Sequence, residues 1–216
     1  MSSGTSSSDP SATLAALAGE TQLADRVRFV VELDRLKQVL RRTVVTDGRR
    51  RENTAEHSWH VAMMALILAD AADESVDPMR VAKLLLVHDI VEIDAGDTFV
   101  YDIDGQESKA ARERAAAERL FGLLPDDQGD ELHGCWLEFE LGTTAEARFA
   151  RALDRFQPLL LNHASAGQAW REHGITAAQV RDVNSTIGDG SAVLWELAQR
   201  VIDDAVTRGW LPETGR

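Results

Sequence analysis

Four side chains in three separate, largely apolar stretches have types that can do chemistry together: His57, the adjacent pair His88 and Asp89, and Asp154. Burying such polar groups without partners is costly, by roughly 2–7 kcal/mol for a neutral group and more for a charge. A shared divalent cation removes the cost, because neutral imidazole and ionised carboxylate are both metal ligands. The donor set predicts one buried metal ion and does not choose among Mn, Co, Fe, Ni, Zn and Mg. Glu92 stands four residues after His88 and three after Asp89, so on a helix all three gather near one end. Each residue also has a plainer role open to it: His57 as a core or capping histidine, Glu92 as a carboxylate at a helix end.

The elements that must position these groups read as helices. Val27, Val30, Val31, Leu33, Leu36, Val39 and Leu40 recur near helical spacing and predict a first helix from about Thr21 to Arg42, followed by a basic loop from Thr46 to Arg51. Asn53 with Glu56 three positions on is a capping-box pattern, and it opens a largely apolar helix with His57 in its first turn. His60, one turn further, is expected to be structural or to support His57 from behind. Asp77 and Pro78 start the helix that runs through VAKLLLVHDIVEI and carries His88, Asp89 and Glu92. Asp94 to Gly105 is rich in Asp and Gly and predicts a loop. Three more helices follow, through SKAARERAAAERLFGLL, through ELHGCWLEFE with a stop at Gly142, and from Thr144 through the segment holding Asp154. A last helix covers SAVLWELAQRVIDDAV. No internal repeat and no strand pattern stands out.

Composition agrees with an all-α class: of 216 residues, 44% are apolar and only 6% aromatic, while Ala, Leu, Glu and Arg recur throughout. The length suits one domain, 21–216, behind a Ser-rich flexible leader, 1–20, that resembles no secretory signal. A net charge of -13 argues against a nucleic-acid partner, although Arg41, Arg42, Arg49, Arg50 and Arg51 form a local basic segment able to attract a small anionic phosphate ester. No stretch is long enough to predict a membrane span, and the lone Cys135 suits a buried apolar position in a reducing cytoplasm.

The flanking strings RxENxAEHSW, HDxxEIDAGD and LDRxQPLL, in that order, resemble the H…HD…D signature of the HD-domain superfamily, and more narrowly its 5'-nucleotidase-like branch. The resemblance covers roughly Leu33 to His163. It implies an HD helical bundle with a buried mononuclear metal site, whose ligands fall on His57, His88, Asp89 and Asp154. It further implies that Glu92 activates water or donates a proton, that Asp97 serves catalysis and substrate binding, and that Arg41, in LDRLKQVLRR, contacts phosphate. Proteins of this kind remove phosphate from nucleoside monophosphates and form dimers or larger homo-oligomers.

Two departures bear on substrate choice. Arg42 stands where nucleotidase members carry an aromatic that helps exclude a ribose 2'-hydroxyl, and TFVYDIDGQ replaces a proline-containing turn after Asp97. Expected substrates are therefore nucleoside 5'-monophosphates or a related small phosphomonoester. A nucleoside triphosphate or cyclic-nucleotide hydrolase, or a non-catalytic metal- or nucleotide-binding regulatory module, are the alternatives.

Overall fold

Helix signals written into the sequence are used by the chain in order. The computed structural model describes residues 10–19 and 21–214. Helix α1 (Pro10–Leu17) lies inside the stretch expected to carry no packed structure; it rests on α2 (Gln22–Leu33) with Ala15 fully buried. Residues 1–9 and 20 of that expected leader lie outside the described residues.

The expected first helix does not reach Arg42. It stops at Leu33, passes through a 3-10 turn (Asp34–Gln38), and gives way to β1 (Leu40–Val44), which pairs antiparallel with β2 (Arg51–Asn53). The apolar spacing that predicted one helix was the sum of two faces, because Leu36 packs from the turn while Thr43 and Val44 pack from a β-branched strand. Gly48, at φ 70°, turns the hairpin, and its N–H donates to the Val45 carbonyl at 2.8 Å. Two short strands therefore join a fold that is otherwise helical.

Helix α3 (Thr54–Ile67) opens with the predicted capping box: Asn53 Oδ1 accepts from Glu56 N at 3.0 Å and Glu56 Oε2 accepts from Asn53 N at 3.2 Å. Helix α4 (Pro78–Val87) starts at Pro78, with the Asp77 carboxylate accepting from Met79 N at 2.9 Å, and ends at His88. A tight turn leads into α5 (Glu92–Ala95), which Gly96 closes at φ 74°, a conformation costly for any side-chain-bearing residue. Only 96–102 of the expected loop is irregular. Asp102 caps α6 (Ile103–Phe121) by accepting from Gly105 N at 3.1 Å, and its carboxylate occupies the space a Cβ on Gly105 would need.

Helix α7 (Asp126–Leu141) stops at Gly142 as predicted, in the left-handed region at φ 61°. Thr144 caps α8 (Ala145–Ala164), which carries Pro158 within it. Helices α9 (Gln168–Glu172) and α10 (Ala177–Asn184) are too short to show an apolar period in sequence. The predicted last helix is α11 (Ala192–Thr207), capped by Ser191.

Helix α8 is the hub, packing on α3, α4, α7 and α11. Phe149, Leu153 and Phe156 from α8 meet Val61 and Ala65 of α3 and Val81, Leu84 and Leu85 of α4 in one core that runs from Phe29 to Leu211. Each large apolar side chain fully buried there contributes about 1.5–3 kcal/mol. Among the described residues no helix is long and apolar enough to cross a membrane.

Candidate metal centre

The core just described brings the first turn of α3, the end of α4 and the middle of α8 against one another, and each delivers polar groups to the contact. His57 is fully buried; its Nε2 lies 2.9 Å from Asp154 Oδ1 and 3.8 Å from Asp89 Oδ2. His88 Nε2 lies 3.1 Å from Asp89 Oδ1 and 3.6 Å from Asp154 Oδ1. The two imidazole rings are 5.7 Å apart, and Phe139 closes the back of His88 at 4.6 Å. Ligand atoms of His57, His88 and Asp154 all lie within 4.8 Å of one another, and Asp89 flanks both rings. All four expected ligands are thus brought together.

These donors fit a cation. His88 Nδ1 donates to the Leu85 carbonyl at 2.8 Å, and His57 Nδ1 donates to Gln157 Oε1 at 3.1 Å. With hydrogen on both Nδ1 atoms, each neutral ring turns the lone pair of Nε2 toward the carboxylates. Among the described residues His88 Nε2 is buried with no well-aligned hydrogen-bond partner, although Asp89 Oδ1 approaches it. Lone pairs and carboxylates facing each other repel unless positive charge lies between them. Protonation answers the same demand: burial opposes it, but Asp89 and Asp154 hold the pKa of His88 well above the usual histidine value. Burial and the nearby Arg41 charge keep that of His57 below it. Although desolvation pushes the other way, His88 with Arg41 holds Asp89 down at about 2, and the two histidines hold Asp154 well below the carboxylate range.

Around this centre stand the other expected site residues. Arg41, from β1, reaches Asp89 Oδ2 at 3.1 Å and approaches Asp97 at 3.9 Å. Burial works against its charge, and Asp89, Glu92 and Asp97 more than offset that. Glu92, at the start of α5, is buried and accepts from Thr54 Oγ1 at 2.8 Å. Desolvation and the Asp89 charge push its pKa up to about 8. Asp97 follows the Gly96 turn into the same cleft, and burial raises its pKa. The cleft wall beyond the metal centre includes Phe99, Tyr101, Lys109, Arg155 and Trp170.

Several residues acquire a place that spacing alone did not assign. Thr54 holds Glu92, and Glu52 and Gln157 stand behind His57 although both lie inside the quoted motif strings. His60 sits in the supporting position, 3.1 Å from Gln157 Nε2. Three others are placed away from the centre: Asp94 pairs with Arg119, His133 stacks between Phe121 and Trp136, and His163 pairs with Asp204 at 2.7 Å.

The chain belongs to the HD domain family, whose match spans residues 33–195. It is 33% identical to the 5'-deoxynucleotidase HDDC2 of Bos taurus over 154 residues, 71% of this chain and 72% of that protein. Identity to the Homo sapiens protein of the same name is 32% over 142 residues, 66% of this chain and 67% of the other. Among solved structures, a predicted metal-dependent phosphohydrolase from Magnetospirillum magnetotacticum MS-1 is 54% identical and superposes with a TM-score of 0.85, covering 89% of this chain and 97% of that one.

Proposed function

We propose that the protein is a metal-dependent phosphohydrolase that removes phosphate from nucleoside 5'-monophosphates or a closely related small phosphomonoester. The observation that carries this is the convergence of two imidazole Nε2 atoms and the Asp154 carboxylate beside Asp89, beneath a cleft that also holds charged Arg41. The similarity to 5'-deoxynucleotidases supports the substrate class. His57, His88, Asp89 and Asp154 hold one divalent cation. When bound, that cation supplies Lewis acidity at a phosphoryl oxygen and lowers the pKa of water.

The chain's own groups supply the rest. Arg41 binds the phosphate and offsets the charge that develops on it. Glu92, kept protonated near neutrality by burial, faces the cleft and donates its proton to the leaving 5'-oxygen. Asp97 accepts a hydrogen bond from the substrate's sugar. Phe99, Tyr101 and Trp170 offer apolar surface to a base. Rigid helices hold the ligands, so the reacting atoms meet in line.

Residues 21–216 act as one domain, and a cytoplasmic location suits the single buried Cys135. Trp59, Met63, Leu66 and Ile67 leave an exposed apolar stripe along α3, which supports self-association as a homodimer. Light scattering on the purified protein tests that assembly.

The function is tested by phosphate release from ribo- and deoxynucleoside mono- and triphosphates with Mn, Co or Mg, in wild type and His88→Ala. Metal-dependent release of inorganic phosphate and nucleoside, lost in the variant, is expected. Triphosphate released intact, or silence across the panel, overturns the reading.

A further inference from the structure

Behind His57, away from the cleft, lies a buried polar chain with no part in binding substrate. Gln157, fully buried one turn along α8 from Asp154, accepts from His57 Nδ1 through Oε1 at 3.1 Å. Its Nε2 donates to Glu52 Oε1 at 2.7 Å and lies 3.1 Å from His60 Nδ1. Glu52, on β2 and 3% exposed, places Oε2 3.9 Å from Arg41 Nε and 3.8 Å from His57 Nδ1.

The order of donors and acceptors along this chain is directional. Burial pushes the pKa of Glu52 up to about 7, but its Oε1 accepts whether the carboxyl group is ionised or carries its proton on Oε2, so Glu52 turns the NH2 end of Gln157 toward it. The oxygen end of the amide is then left for His57, whose Nδ1 must carry hydrogen to meet it. Hydrogen on Nδ1 leaves Nε2 bare, and Nε2 is the atom aimed at Asp89 and Asp154. If the amide turned over, its NH2 group would face Nδ1, the hydrogen would move to Nε2, and that atom could no longer ligate.

We propose that Glu52 and Gln157 are positioning residues that set the tautomer of His57, and thereby the metal affinity of the site, through an amide whose orientation Glu52 dictates. This rests on the reading of His57 as a ligand. It adds a requirement on β2 and α8 that the ligand set does not contain.

The experiment is calorimetric titration of Mn into metal-free wild type, Glu52→Gln and the reciprocal swap Glu52→Gln/Gln157→Glu, with His88→Ala as the control that abolishes binding. Glu52→Gln keeps shape and volume but can present NH2 or oxygen, so it no longer dictates the amide. Its Mn affinity is expected to fall about 10–100-fold, the usual loss for groups that orient a ligand. In the swap, a carboxylate at 157 accepts from His57 and an amide at 52 donates to it, so affinity returns to within a few-fold of wild type. Wild-type affinity in Glu52→Gln, or a swap as weak as the single variant, overturns the proposal.

With no cation bound, Asp154 Oδ1 at 2.9 Å from His57 Nε2 draws the hydrogen the other way, so the second readout is a difference. Nitrogen NMR of the histidine rings in metal-free protein is expected to show less hydrogen on His57 Nδ1 in Glu52→Gln than in wild type, and equal populations overturn the proposal. Wild type that binds Mn but hydrolyses no nucleotide would remove the proposed function and leave this inference intact. Wild type that binds no Mn would remove the ligand reading itself.

Discussion

Thr54, the first residue of α3, donates its hydroxyl hydrogen to Glu92 Oε2 at 2.8 Å across a buried contact between α3 and α5. The helix that carries His57 thus also aims the carboxyl group of Glu92. The hydrogen bond favours the ionised form of Glu92, but burial and Asp89 outweigh it.

Glu92→Gln keeps the shape of the side chain and removes the proton that the proposed mechanism has it donate. Turnover is expected to fall by roughly 10²–10⁴-fold, the usual contribution of a general acid. Mn affinity, measured by calorimetry, should change little. Thr54→Val removes a contact that lowers the Glu92 pKa, so the alkaline limb of the rate profile should move to higher pH. A limb that stays in place or moves to lower pH would exclude Glu92 as its source.

Stability of the metal-free protein carries the same signature. The folded pKa of Glu92, about 8, lies above its ordinary value of 4.5, so between them the folded state binds more protons than the unfolded chain. This contribution is fully present below about pH 4.5 and is lost as pH rises through about 8. Urea denaturation from about pH 5 to 8 should therefore show wild type losing more stability than Glu92→Gln. Equal losses would contradict the assignment.

Metal removal should cost stability as well as activity. A ligand at about 100 times its Kd stabilises the folded state by about 2.7 kcal/mol. For a chain of this size that corresponds to a fall in Tm of roughly 5–10 °C on chelation. His88→Ala, already unable to bind, should show no fall. Equal Tm shifts in both proteins would mean that the chelator acts elsewhere.

Arg155 lines the cleft from α8, one residue beyond Asp154, and pairs with no carboxylate among the described residues. Its charge is available to substrate. Arg155→Ala should raise KM by about tenfold, equivalent to about 1.4 kcal/mol, with a smaller effect on kcat. The reverse pattern, with kcat falling at constant KM, would place Arg155 in the chemical step instead.

Asn53→Ala removes one half of the capping box that begins α3. A loss of about 1 kcal/mol is expected by chemical denaturation. Because His57 sits in the turn so capped, metal affinity should weaken in parallel. A stability loss without weaker metal binding would show that the cap and the site are independent.

The elements that bear the site were legible because their signals are local. Asn53 and Glu56, Asp77 and Pro78, Thr144 and Gly142 each mark a helix end within a few residues. The grouping of His57, His88, Asp89 and Asp154 was legible from polar types in apolar stretches and from the order of three motif strings. The hairpin was not. Its pairing of Leu40 with Asn53 and Val44 with Arg51 joins charged and apolar residues without clean alternation, and the preceding helix blurs into it. Helices α9 and α10 were hidden by their brevity. The roles of Glu52 and Gln157 depend on a contact between residues 105 apart, which no local pattern encodes.

His57 and Asp154, 2.9 Å apart in space, are separated by 97 residues of chain. While the protein is being synthesised, α3 and α4 emerge together and can pack early, carrying both imidazoles, yet neither Asp154 nor Gln157 exists until α8 follows. A chain truncated before α8 holds an incomplete ligand set on an apolar face exposed to water. On the ligand set proposed above, acquisition of the cation therefore waits for α8 and records that synthesis has passed that helix, with α9, α10 and α11 still to come.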